Sequence, residues 1–570
     1  MKRDSKLNAN NRAGERGAAL VTMLLVSVLL LGAGGALIMT TMMSANNSVG
    51  STAEMQAYYI AESGVQSALN VLRGNTKPLL VASDRISFRT AIIPSISNGG
   101  NGGTARLAGW LPYNDPTSAT SLVPVSVGAV TGGYRITIEN MDPNSNIVEF
   151  QTSAIIDNGD AGKTYQRTFN AGGTKEVTIR YQGQGATTLN PDPNTFPLTL
   201  DSALGSFVIE RPASSTDDDV VIDKTGFEIT ITQSLPWAAT TTLEGTFEGE
   251  VDAAATTVKV TFDKAYVKAD GTKYALNIED GTKVLSLKYD ISPTTTNIPS
   301  KVTSPDPKRL LIKSYGFGPQ GAEKRLEMMV NHANLEFESP AGFTVKGPDD
   351  CSGVSFDSGS SGAKWYSGVD HAGVEPQRPA FAVSPCDKDS VNAGIVKHDT
   401  VVDPEIGLLG DADTLPGTVE TPSFLDSADK ARAYLQGLKD KAESMGRHFS
   451  GPKTIDDSIT SGKFTFVEGD CTLAKGSGFL VVTGTLTLQG NPDFRGVILV
   501  LGEGKLIRNG GGNGDIFGAI TIAAFNRTSG GFTAPTFHTN GGGNSTIQYD
   551  SSALNMGIGS ATNVSGIREF

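Results

Sequence analysis

The chain has 570 residues, 38% of them hydrophobic, and a formal net charge of −13. The hydrophobic share is too high for a disordered tail and, at this length, supplies about two to four domains. With no basic patch beyond the first residues to offset it, the acidic balance excludes electrostatic binding of nucleic acid.

Lys2, Arg3, Lys6, Arg12 and Arg16, opposed by Asp4 and Glu15, precede 26 residues from Ala18 to Met43 that carry no ionisable side chain. About 20 helical residues cross a hydrocarbon core, so this segment is long enough to span. No Lys or Arg follows until Arg73, and the bias predicts a cytoplasmic N-terminus with the remainder exported. The apolar run is too long for a secretory signal, and Met43-Ser44-Ala45 is a poor cleavage site.

Past the run, Ala57, Ile60, Ala61, Gly64, Val65, Ala68, Leu69 and Leu72 recur at three- and four-residue steps, opposite Gln56, Glu62, Ser63, Gln66 and Asn70. One helix from Ala18 to Arg73 is predicted, roughly 80 Å long, with its first half in lipid and its second on a globular head. Gly32, Gly34 and Gly35, beside Ala33 and Ala36, predict either close helix packing in a membrane or local melting of the helix in a filament.

The string ERGAALVTMLL resembles the N-terminus of type IV prepilins, and AYYIAESGVQSAL resembles the "YAAEAG" stretch of PilX-like minor pilins. The resemblance covers about the first 74 residues. It implies cleavage by a prepilin peptidase between Gly17 and Ala18, retention in the inner membrane, and assembly with other pilins or pseudopilins through the helix. Most pilins carry a glutamate fifth in the mature chain; here that place is Thr22. An unpaired carboxylate in lipid is costly, so its absence suits a tip or initiating subunit, like the tip pseudopilin of type II secretion, which also lacks it.

Short β patterns follow, broken by the loop SISNGGNGGT from Ser95: YRITIEN from Tyr134, KEVTIRYQ from Lys175, FEITITQ from Phe227 and VKVTFDKAYV from Val258. Asp270-Gly271 and Asp280-Gly281 are predicted hairpin turns. RLLIKSYGFGPQGAEKRLEMMV from Arg309 reads as strand, turn and strand, and loosely resembles the "S-x-G-x-x-G-x-x-R" hairpin that often closes a PilX-type head, with longer steps from Gly316 to Gly321 and Arg325. Residues 75–144 and 305–345 are therefore expected to form a sheet on the helix, with a β-rich insertion near 145–304. The aspartates of Ser214–Asp219 lack the alternating oxygen ligands of a calcium loop and read as solvated.

Residues 346–451 read as a loop-rich segment. Ala428–Met445 within it is a short amphipathic helix with Ala431, Tyr434, Leu435, Leu438 and Ala442 on one face. In an oxidising compartment Cys351 and Cys386, both in this segment, are the favoured disulfide, with the other two pairings open to Cys471. From 452 to 570 a repeat emerges: GFLVV from Gly478, GVILV from Gly496 and GAITI from Gly518, with TLTLQG from Thr485 and KLIRNG from Lys505 between them. Such spacing predicts a parallel β-solenoid over about 452–549, closed by STIQY from Ser545, with the glycine-rich Asn509–Gly514 as a turn. Antiparallel sandwich packing is the alternative.

No catalytic residue, cofactor site or metal-ligand set emerges. The five histidines, His332, His371, His398, His448 and His538, are scattered, and no CxxC, GxSxG or phosphate loop occurs. Two weaker patterns remain. Asp493 and Asp515, with Arg495, Glu503, Lys505 and Arg508 nearby, could serve a solenoid polysaccharide-active enzyme, although NPD and NGD are also turn sequences. Trp365, Tyr366 and Asp370 combine aromatic faces with polar groups as sugar-binding adhesins do, or pack as a loop. The expectation is an α+β, mainly β chain: leader 1–17, membrane and amphipathic helix 18–74, head 75–345, loop-rich segment 346–451, solenoid-like domain 452–570. Its function would be structural, as a minor-pilin-like subunit in the inner membrane and then at the cell surface.

Overall fold

A computed structural model describes the chain apart from residues 1–10, 82–85, 94–105, 116–117, 119, 128–129, 158–161, 193–197, 214–219, 252–256, 279–282, 289–293, 333–334, 336, 338, 351–352, 360–363, 374–376, 396–405, 411–417, 510–512, 541–544 and 570. Ser214–Asp219, the Asp280-Gly281 turn and Cys351 thus lie outside the described residues. One helix of 62 residues, Asn11–Leu72, runs unbroken through the triple-glycine segment. It is long and apolar enough to cross a membrane, with a mean hydropathy of 2.4 over its most apolar window. The amphipathic face read from sequence is its buried one: Ala57, Ala61, Val65, Ala68 and Leu72 are wholly covered.

That face lies on an antiparallel sheet whose long strands are Val130–Asn140, Arg309–Phe317, Glu323–Asn331 and Asn563–Glu569, in that order across the sheet. Both wide gaps in the chain open and close between neighbouring strands: Leu310 stands opposite Asn140, and Asn331 opposite Asn563. Two large lobes are therefore inserted at the strand ends of one small head. The final strand differs from the sequence reading, which placed residues up to 570 in the solenoid-like domain.

The first lobe is a β-sandwich, a seven-stranded and a six-stranded antiparallel sheet sharing one core that includes Phe150, Phe207, Phe227, Phe247, Phe262 and Tyr274. VKVTFDKAYV, read as one strand, is two. Lys259–Phe262 joins one sheet, while Tyr266–Ala269 crosses at Asp263–Ala265 to the edge of the other and turns back at Asp270-Gly271. That turn has φ of 46° and 85°, the paired left-handed conformation of a two-residue hairpin.

The second lobe is a sixteen-stranded, mostly parallel sheet that curls on itself. Gly478, Gly496 and Gly518 stand in register on successive strands with φ of 113°, 140° and 135°. A Cβ on Gly496 or Gly518 would fall 1.9 Å from the preceding glycine's carbonyl oxygen, so this column accepts only glycine. The strands after it are apolar throughout because both sides are covered. Leu480, Ile498 and Ile520 face the interior with Phe343 and Phe381, whereas Phe479, Val497 and Ala519 face helices Ala428–Ser444 and Ser551–Gly559. Thr485–Gln489 and Lys505–Asn509 alternate instead, with Leu486, Leu488 and Leu506 directed inward.

Residues 346–451, read as loop-rich, contribute strands to this sheet. Phe343–Lys346 pairs in parallel with Ile520–Ala523, and Phe381–Val383, Ile406–Gly410 and Thr418–Glu420 continue beyond it. Earlier segments thus extend the stack past later ones, and Ser545–Tyr549 is not the last strand on its ladder, because Lys364–Ser367 pairs beyond it. Docking of these strands removes an otherwise open sheet edge.

Candidate functional site

Two surfaces of the N-terminal helix dominate the molecule. Toward the head, the two segments that carry the family resemblance meet each other. Strand alternation places Ser314, Gly316 and Gly318 against the helix. Ser314 Oγ donates to the Ala61 carbonyl at 2.7 Å, fully buried, and an added Cβ on Gly64 would come 2.5 Å from that same Oγ. A Cβ on Gly316 would sit 2.3 Å from the Ala57 carbonyl oxygen. Gly132, on the adjacent strand and not singled out by sequence, makes room for the Ile60 side chain, whose Cδ1 a Cβ there would meet at 2.4 Å. The glycines of the helix and hairpin thus let two backbones approach more closely than side chains would permit.

Away from the head the same helix is bare. Leu20, Met23, Leu30, Leu31 and Leu37 are between 67% and 81% exposed, and among the described residues none covers the apolar run. Gly17 and Ala18 stand in this exposed helix, and Thr22 donates its hydroxyl to the Ala18 and Ala19 carbonyls at 2.9 and 3.0 Å. Position 22 is therefore satisfied within its own helix and presents no charge. An apolar rod of this extent is a surface that water does not stabilise; lipid or neighbouring helices do.

The other candidate residues are not assembled into a site. Trp365 is 47% exposed, but alternation buries Tyr366 in the curled core, and Asp370 accepts from the Ser551 backbone and hydroxyl, both at 2.7 Å. Asp370 thus anchors the start of helix Ser551–Gly559. Asp493 and Asp515 sit exposed at matching positions, each one residue before the registered pair Phe494 and Ile516. Asp515 accepts from the Thr546 backbone at 3.3 Å, and Arg495 lies over the Phe517 ring. Glu503 accepts from Thr485, Lys505 stands in its ladder opposite Thr485, and neither aspartate lines any of the three best-formed clefts among the described residues. Arg508 points inward beside Lys364, whose amine burial and then the Arg508 charge push down to about 8.

Cys386 is held in a disulfide, and Cys471 is a free thiol that burial pushes up to about 12. Among the described residues no group of three His, Cys, Asp or Glu side chains is placed to hold a metal ion. Compared with family models, curated proteins and solved structures, the chain matches none.

Proposed function

We propose that this chain is a minor-pilin-like subunit of a type IV pilus or related filament. On this reading it is inserted in the inner membrane with its N-terminus cytoplasmic, processed after Gly17, and assembled through its helix. The observation that carries the reading is the division of one helix into a bare apolar half and a half locked to a sheet through Gly64, Ser314 and Gly316. Burying each exposed Leu, Val or Met among other helices or lipid contributes about 1.5–3 kcal/mol. With Thr22 in place of a carboxylate, the subunit makes no intramembrane ion pair at that position, which suits a filament end. The curled parallel sheet is read as a β-solenoid carried outward on the head, and the sandwich as a second projecting lobe.

Determining the N-terminal residue of the mature protein tests this. A methylated Ala18 is the expected result, together with loss of processing in Gly17→Arg and loss of the protein from sheared filament fractions in that variant. An intact Met1, or a start near Asn46, overturns it.

A further inference from the structure

A cleft of about 480 Å³ lies between the outer face of the sandwich and the far end of the curled sheet, within the size range of small-ligand sites at domain boundaries. One wall is the edge strand Tyr266–Ala269, whose alternation sends Val267 into the sandwich core and leaves Tyr266 and Lys268 lining the cleft. Pro340, Pro379 and Pro422 from the curled-sheet side also line it, as do Ser423 beside them and Thr241 and Thr242 from the sandwich strand Ala239–Val251. The ionisable lining groups are four cations, Lys264, Lys268, Arg378 and Lys430, against two carboxylates, Glu420 and Asp426. Asp426 is shared, meeting Lys264 at 2.5 Å and Lys430 at 3.0 Å. Arg378 is fixed by donating to the Ser339 carbonyl and by lying 4.7 Å from the Tyr549 ring centre.

With four cations against two carboxylates, this concave surface is locally positive although the chain carries a net charge of −13, and it favours anions. An aromatic face such as that of Tyr266, with apolar proline surface and hydroxyl-bearing residues nearby, is what a polyhydroxylated ring packs on and bonds to. We propose that this cleft binds an acidic sugar, a pyranose bearing a carboxylate. The carboxylate faces Lys268 and Arg378, and the ring lies against Tyr266 and the prolines. The proposal goes beyond the filament reading, and either stands without the other.

Calorimetric titration of the full chain in detergent with galacturonate and its short oligomers tests it, beside galactose and a glutamate-only peptide. Uronate binding that weakens with added salt is expected. Lys268→Glu should weaken it at least about tenfold, the loss of roughly one close charge pair, and Tyr266→Leu should weaken it without altering the salt dependence. Lys259→Glu, which makes the same charge change at an exposed site outside the cleft, should bind as the natural chain does. Equal losses in Lys268→Glu and Lys259→Glu, galactose or the peptide bound as tightly as uronate, or no heat with millimolar uronate overturns the assignment.

Discussion

Gly316 shows how a single position decides the joint between helix and head. A methyl group there would lie 2.3 Å from the Ala57 carbonyl oxygen and 2.4 Å from the Ala61 nitrogen, and backbone atoms cannot rotate aside. Gly316→Ala is expected to cost about 1–3 kcal/mol in urea unfolding of the head, as overpacking does. Gly437→Ala should do the reverse: that glycine is exposed within helix Ala428–Ser444 with nothing within 4 Å, and the change should add about 1 kcal/mol. Glu468 supplies a pH test. Lys439 at 2.8 Å and Arg527 at 2.7 Å, with His448 at 3.1 Å, hold its carboxyl down at about 2 from an ordinary 4.5. A depressed carboxyl stabilises the fold above its unfolded value and ceases to as pH falls toward its folded one. Stability should therefore drop between pH 4.5 and 2, and this drop should be shallower in Glu468→Gln. Gly64 and Ser314 were legible as motif residues, but nothing in the linear chain said that they touch, because 250 positions separate their segments.

Among the elements, the long helix and the GFLVV, GVILV and GAITI strands were readable because each repeats a local signal: apolar period in one, unbroken apolar runs after glycine in the other. Helix Ser551–Gly559 was not. Its sequence SSALNMGIG has two glycines and no clean stripe, and it forms because Asp550 caps it, accepting from the Ala553 nitrogen at 2.8 Å, and because it fits the strands it covers. The strands between 343 and 420 are illegible for a different reason, being only three to five residues long: Phe343–Lys346, Ser355–Asp357 and Lys364–Ser367 gain partners from much later in the chain, and the other three pair in turn onto the first of these. The strand Asn563–Glu569 likewise depends on a distant neighbour, Glu323–Asn331, to which Arg568 is tied through Glu327. Truncation after Thr562 should strip hydrogen-exchange protection from Glu323–Asn331 while leaving Gly496–Gly502 protected. Equal loss in both would refute the separation of head and curled sheet.

At the scale of the whole molecule, two lobes hang from adjacent strand ends of a head that holds the helix. Asp142 and Arg309 clamp the base of the sandwich, with the carboxylate accepting from the Arg309 backbone at 2.8 Å and its guanidinium at 2.7 Å. Replacing residues 145–306 with a short glycine-asparagine connection should leave a chain that still places the helix on its sheet, seen as unchanged circular dichroism of the helix and retained extraction only by detergent. The acid pair Asp493 and Asp515, and Trp365 and Tyr366 with Asp370, are patterns a linear chain displays; the cleft is invisible there because its walls come from segments 241–268 and 339–430, which only the assembled fold brings together.

The position of Asn563–Glu569 has a consequence for biosynthesis. The ribosome delivers the helix first and this edge strand only after both lobes, so the sheet beneath the helix stays at least one strand short until translation is nearly over. A message cut short anywhere in the curled sheet would yield a product with the apolar rod and much of its bulk but an unfinished platform, recognisable to quality-control proteases as incomplete.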